Sequence, residues 1–253
     1  MVLGIKAIHY ENELKQRDEA SGHRSVDIIK RRFEETMLES ATRRVEFYHE
    51  NLDASRFQGS MHHKLFADYL KAKYGRVKLD VIFPIIGTRV DRGSRIPREL
   101  FSDVPIVYVS CLPIGKKPIP PVPEMTGVLL RIDVAQALKV ALAVRPRTRR
   151  VIVISGPATM HPELLSHAEA AAKSYPGVTF EYWSERTAAH ILDSAAALPG
   201  DSLVLYLELY RDPTGASFYP WQFGQSLAKA ANAPVFGIYE SYLDTGIVGG
   251  AVH

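Results

Sequence analysis

The sequence predicts an α/β protein of two lobes, each a parallel sheet layered between helices, and three observations carry that prediction. Short apolar runs alternate with amphipathic stretches along the whole 253 residues. The runs are rich in Val, Ile, Leu and Tyr with little polar interruption, as expected for strands covered on both faces. They also divide evenly: four precede residue 111 and four follow residue 149, with a proline-rich stretch between. A chain of this length lies near the size at which one core gives way to two.

Taken in order, strands are predicted at 3–9, 44–50, 79–86, 105–110, 150–155, 178–183, 202–209 and 234–239. Helices are predicted between them at 26–40, 61–74, 135–144, 162–175, 187–198 and 219–231. In the first helix Val26, Ile29, Phe33 and Met37 recur at three- and four-residue steps and build one apolar face. Strand alternating with helix at this spacing makes βαβ units and a mainly parallel sheet. The stretch 112–123 holds five prolines, which exclude it from a helix or a central strand. It joins the lobes, expected at 1–125 and 126–253. Gly246, Gly249 and Gly250 read first as turn glycines and second as a hinge.

Hydrophobic residues at 46% and charged residues at 23% are those of a soluble globular protein. A formal net charge of +3 is small for this length. Arg145, Arg147, Arg149 and Arg150 cluster before a strand, where a solvated turn is the plain reading. No aromatic-interleaved basic stripe accompanies them, so nucleic acid is not an expected partner. The single cysteine, Cys111, rules out an intramolecular disulfide. No window reaches the roughly 18 apolar residues of a membrane span. The first residues lack the charged and apolar regions of a signal peptide.

Motifs for chemistry are missing. No G-x-G-x-x-G follows the first strand, and no phosphate-binding G-x-x-x-x-G-K-[ST] exists. Metal-ligand spacings and the G-x-S-x-G elbow are absent as well, and no cofactor is expected. His62 and His63 are adjacent on a helix start, about 100° apart, and read as surface residues rather than ligands of one metal. His161 and His167 share no helix face. Cys111 follows a strand and would be a nucleophile only with a base such as His9 across a crevice; packing is the simpler role. Nothing assembles nucleophile, base and orienting group, so no catalytic residue is assigned.

Binding residues are expected at strand ends, because parallel sheets with helical crossovers take ligands at the carboxyl edge. In the first lobe these are His9, Tyr10, Gly87, Thr88, Arg89, Ser110 and Cys111. In the second they are Ser155, Gly156, Tyr210, Arg211, Asp212, Glu240, Ser241 and Tyr242. Hydroxyls and N–H groups suit a carboxylate, Asp212 or Glu240 suits an ammonium, and tyrosine rings suit an apolar body. The structural alternative is that Tyr210 and Tyr242 pack the core and that Arg211 and Asp212 are an exposed turn pair.

The segments NLDASRF at 51–57, FADYLKAKY at 66–74, ELFSDVPIV at 99–107, TGV at 126–128 and ALKVAL at 137–142 carry a resemblance. RRVIVISG at 149–156, LPGDSLVLY at 198–206, YRD at 210–212, NAPVFG at 232–237 and GIVGG at 246–250 extend it. From about Arg44 onward the chain resembles the ABC-transporter substrate-binding-protein-like domains of the type I periplasmic-binding fold. It is most similar to the version found in extracytoplasmic sensor regions of bacterial histidine kinases.

The resemblance implies two Rossmann-like three-layer lobes with parallel sheets, lacking the C-terminal return elements that family members carry. It also implies a periplasmic or extracytoplasmic location and a non-catalytic sensor or solute-binding role. A small organic solute (an amino acid, carboxylate or aromatic) would lie between the lobes, and lobe closure would signal to a histidine kinase or ABC transporter. Two segments depart from the family pattern: 156–161 lacks the acidic residue usual after the fifth strand, and 87–94 is more basic. The alternative function is a cytoplasmic α/β enzyme of racemase or hydrolase type, using Cys111 or a cleft carboxylate.

Overall fold

Nine strands and six helices form among the residues that the computed structural model describes, namely 5–11, 24–52, 59–86, 99–113, 125–158 and 162–250. The chain divides into two units, Met1–Leu130 and Arg131–His253.

Unit 1 holds β1 (Ile5–Glu11), α1 (Arg24–Ser40), β2 (Val45–Asn51), α2 (Ser60–Tyr74), β3 (Val81–Ile86), β4 (Ile106–Pro113) and all but the last two residues of β5 (Met125–Ile132). The sheet order is β2-β1-β3-β4-β5. β1 pairs in parallel with β2 and β3, and β3 pairs in parallel with β4. Strand alternation sorts the core into two faces. Phe83, Ile85 and Val109 meet α1 through Val26 and Phe33, whose ring stacks on Phe83 at 3.8 Å. Ile82 and Ile106 face the other way, toward Phe66, Leu70 and Tyr74 of α2. Those three residues recur every four positions, so one stripe of α2, with Ala67 beside it, supplies the contact.

β5 is a ninth strand, in a stretch where the sequence reading expects none. Its pattern explains the omission: as an edge strand it leaves Thr126, Gly127 and Val128 exposed, and glycine breaks the run. Gly127 is required there, because a Cβ would fall 2.3 Å from the Tyr108 carbonyl oxygen and 2.5 Å from its ring.

Unit 2 holds α3 (Val134–Val144), β6 (Arg150–Ser155), α4 (Pro162–Ala172), β7 (Thr179–Trp183), α5 (Ala188–Ala196), β8 (Ser202–Glu208), α6 (Pro220–Ala230) and β9 (Val235–Gly237), then a 3-10 turn at Glu240–Tyr242. Its order, β7-β6-β8-β9, repeats the β2-β1-β3-β4 order of unit 1, and all its ladders are parallel. Every residue of β8 is buried, which accounts for its unbroken apolar run. Ile152, Ile154, Val204 and Tyr206 share a core with Ile191 and Ala195 of α5 and Phe223 and Leu227 of α6. Val151, Val153, Leu203 and Leu205 alternate with them and are buried on the opposite face. Right-handed crossovers require this split, since the chain leaves β6 in one direction through α4 and returns in the other through α5 and α6.

Helix starts carry their own stop signals for fraying. Asp133 accepts the Gln136 N–H at 2.8 Å, and Thr187 accepts the His190 N–H at 3.3 Å. Pro220 opens α6, and the buried Tyr206 hydroxyl donates to its carbonyl at 2.8 Å.

Candidate functional site

In unit 2 the chain leaves β6 toward β7 on one side and β8 toward β9 on the other. The switch point is therefore at the carboxyl ends of β6 and β8, the place where such sheets hold ligands. The register shifts between Ile154 and Ser155, so that Ser155 stands opposite Glu208. The Gly156 N–H then donates to the Glu208 carbonyl at 2.8 Å, and Ser155 Oγ donates to the Gly156 carbonyl at 3.0 Å. The bulge turns the end of β6 and brings Gly156 against the strand that carries Glu208.

Glu208 is the feature that sequence reading missed. Its side chain is 4% exposed, and the Tyr239 hydroxyl donates to Oε2 at 2.9 Å. The Tyr239 ring stands at 90° to that of Tyr242, 5.3 Å between centroids. A carboxylate inside an otherwise apolar, fully buried strand was a visible signal, because burying a charge is costly unless it is bonded.

Asp212 is held by its own loop. Oδ1 accepts from Thr214 N at 2.9 Å, Thr214 Oγ1 at 2.6 Å and Ala216 N at 3.2 Å. Oδ2 accepts from Ala188 N at 3.1 Å, at the start of α5. Burial alone would raise its pKa, but these bonds to the charged form outweigh burial and leave the pKa lowered. At 5% exposed, Asp212 is not half of an exposed turn pair; it ties the loop 210–218 to α5. Arg211 bridges to Ser217 across the same loop, and Tyr210 is half-buried beside it.

Tyr242, expected among the binding residues at the strand ends, lies in the core instead. Its ring is 2% exposed and packs 5.1 Å from that of Tyr206, and its hydroxyl donates to the Leu207 carbonyl at 2.9 Å. Burial holds both phenols well above their usual pKa. In the same turn Glu240 is exposed and Ser241 half-buried.

The glycines that follow serve the backbone. Val248 N donates to the Val235 carbonyl and Gly237 N to the Gly249 carbonyl, both at 2.8 Å, so this segment runs beside β9. A Cβ on Gly250 would fall 1.9 Å from the Gly237 carbonyl oxygen.

In unit 1 the expected residues sit further inside the sheet than the sequence implies. β1 runs to Glu11, so His9 and Tyr10 are strand residues, opposite His49 and Glu50 of β2. β4 runs to Pro113, so Ser110 and Cys111 are strand residues too, Ser110 being buried opposite Ile86. Gly87, Thr88 and Arg89 lie outside the described residues, as do His161 and most of the proline-rich stretch, which links β4 to β5 of one sheet in unit 1 rather than joining the lobes as expected.

At the end of β2 stands a polar group that the sequence did not mark. Glu50, 8% exposed, accepts from Lys73 Nζ at 2.5 Å, from the Tyr74 hydroxyl and from the Tyr69 hydroxyl at 3.4 Å. The bond to Glu50 raises the Lys73 pKa, and burial together with the same carboxylate raises that of Tyr74. Nearby, His62 is not a free surface residue: its Nε2–H donates to the Leu52 carbonyl at 2.5 Å. Among the described residues no group of three or more His, Cys, Asp or Glu could hold a metal, and no helix is long and apolar enough to cross a membrane.

No protein-family model matches the chain, and no curated protein does. Solved structures match almost all of it. A conserved domain protein from Vibrio cholerae aligns over 98% of this chain and 79% of its own, at 16% identity and a TM-score of 0.63. An ABC domain in complex with L-Trp from Streptococcus pneumoniae aligns over 97% and 77%, at 14% identity and 0.59. A periplasmic solute-binding protein of an ABC transporter from Actinobacillus succinogenes, with bound D-allose, aligns over 95% and 80%, at 12% identity and 0.57. The chain has the type I periplasmic-binding-protein-like fold that these structures share.

Proposed function

We propose that this chain is a non-catalytic solute-binding domain working outside the cytoplasm, with a small organic solute taken at the carboxyl edge of its sheets. One observation supports this above all others. The fold is shared, along nearly the whole chain, with proteins whose solved structures hold L-Trp in one case and D-allose in another. Within unit 2, Glu208, oriented by Tyr239 at the switch point, gives an acceptor for an ammonium or for hydroxyls, and the half-buried Tyr210 gives a face for an apolar body. Asp212 and Tyr242 support that edge from behind. The bound state is passed to an ABC transporter or to a histidine kinase.

Thermal-shift screening against amino acids, carboxylates, aromatic solutes and sugars tests the reading. A ligand at a hundredfold its Kd adds about 2.7 kcal/mol of stability. Glu208→Gln should weaken the response to any hit at least tenfold. No shift with any class would overturn the proposal. Capture by both units with closure is the finer part of it, and there a hit should also reduce the radius of gyration in small-angle scattering.

A further inference from the structure

We infer that the amino-end face of unit 2 is a docking surface for an acidic protein segment. A groove of about 500 Å³ lies there, lined by Val144, Arg145, Pro146, Arg147, Gly200 and Asp201. It belongs to the turns that enter β6 and β8, whereas Ser155 and Glu208 mark their exits. Five strand steps at ~3.3 Å put it about 17 Å from the switch point, so it is a separate place on the molecule.

Three features select the occupant. Arg145, Arg147 and Arg149 are exposed, and Arg147 and Arg149 form no ion pair among the described residues, while Arg150 is matched by Glu181 at 3.3 Å. The turn is fixed rather than loose: Arg145 Nη2 donates to the Gly200 carbonyl at 3.2 Å, and Arg149 N donates to the Asp201 carbonyl at 2.9 Å. Guanidiniums on an ordered frame are suited to paired recognition of carboxylates. The groove is also mixed, with Val144 58% exposed and an exposed carboxylate at Asp201. A dense polyanion such as nucleic acid would meet Asp201 unfavourably. A peptide can place its carboxylates on the arginines, an apolar side chain on Val144, and a donor on Asp201.

Fluorescein-labelled hexaglutamate, followed by anisotropy on the whole chain, provides the test. Wild-type protein should bind it at 50 mM NaCl and lose affinity at 300 mM. Arg147→Glu with Arg149→Glu should weaken binding at least tenfold, and the corresponding Gln pair less than that, with melting temperature unchanged in both. Absence of wild-type binding, undiminished binding by the Glu pair, or tighter binding of a 20-base-pair DNA or of tripolyphosphate would each overturn the inference.

Discussion

Units 1 and 2 arrange their first four strands in one order but hold them by different means. In unit 2 the central strands β6 and β8 are apolar between their end residues, and carboxylates gather at the carboxyl edge, where Glu208 and Asp212 are bonded in place. In unit 1 the outer strand β2 is half open to solvent, and its buried carboxylate, Glu50, is matched by a lysine and tyrosines from α2. A single topology therefore tolerates either an apolar centre or a polar clamp at its margin. What it fixes is where the strand ends emerge.

Substitutions sharpen this contrast. The largest effect is expected from Leu205→Ala in the fully buried centre of β8, at about 3 kcal/mol lost on unfolding in urea. Should unit 2 be indifferent to it, the apolar account of that unit fails. Glu50→Ala comes next, at about 2 kcal/mol, because Tyr74 loses a buried acceptor while the partly exposed Lys73 can turn to water. Glu50→Gln should recover part of that loss, which a purely steric role would not predict.

Asp212→Ala is expected to cost about 1–2 kcal/mol at pH 7 through the loss of four bonds. Its folded pKa is lowered, so its contribution is present above the ordinary carboxylate pKa of about 3.9 and is lost as pH falls through the folded value. Wild type and variant should therefore converge in stability in acid.

The smallest effect is that of Tyr242→Phe, at about 1 kcal/mol, with solute affinity unchanged because the ring lies in the core. It also changes the alkaline limb. Tyr206 and Tyr242 have raised folded pKa values, so the unfolded chain ionises first and stability falls as pH rises past about 10. Removing one of these phenols should make that slope shallower in denaturation measured from pH 8 to 11.

Much of the fold was legible because its causes are local. The run LVLYLEL at 203–209 and the four-residue steps of the helices announce themselves in any short window. β5 was not legible, since an edge strand needs no continuous apolar run. The candidate edge was legible in place more than in role. Strand ends located Gly156 and Tyr210, but nothing in the letters around Asp212 says that its partners are Ala188, Thr214 and Ala216. The Glu50 clamp joins residues 23 and 24 positions apart on different elements, and only the folded chain brings them together.

The bonds from Val248 to Val235 and from Gly237 to Gly249 have a consequence for assembly. β9 is three residues long and ends its sheet, so its outer row of donors and acceptors would otherwise be open to another chain's backbone. The glycine segment fills that row from within the same molecule. It acts as a selvage, and unpicking it would offer unit 2 to its neighbours in solution as a seam.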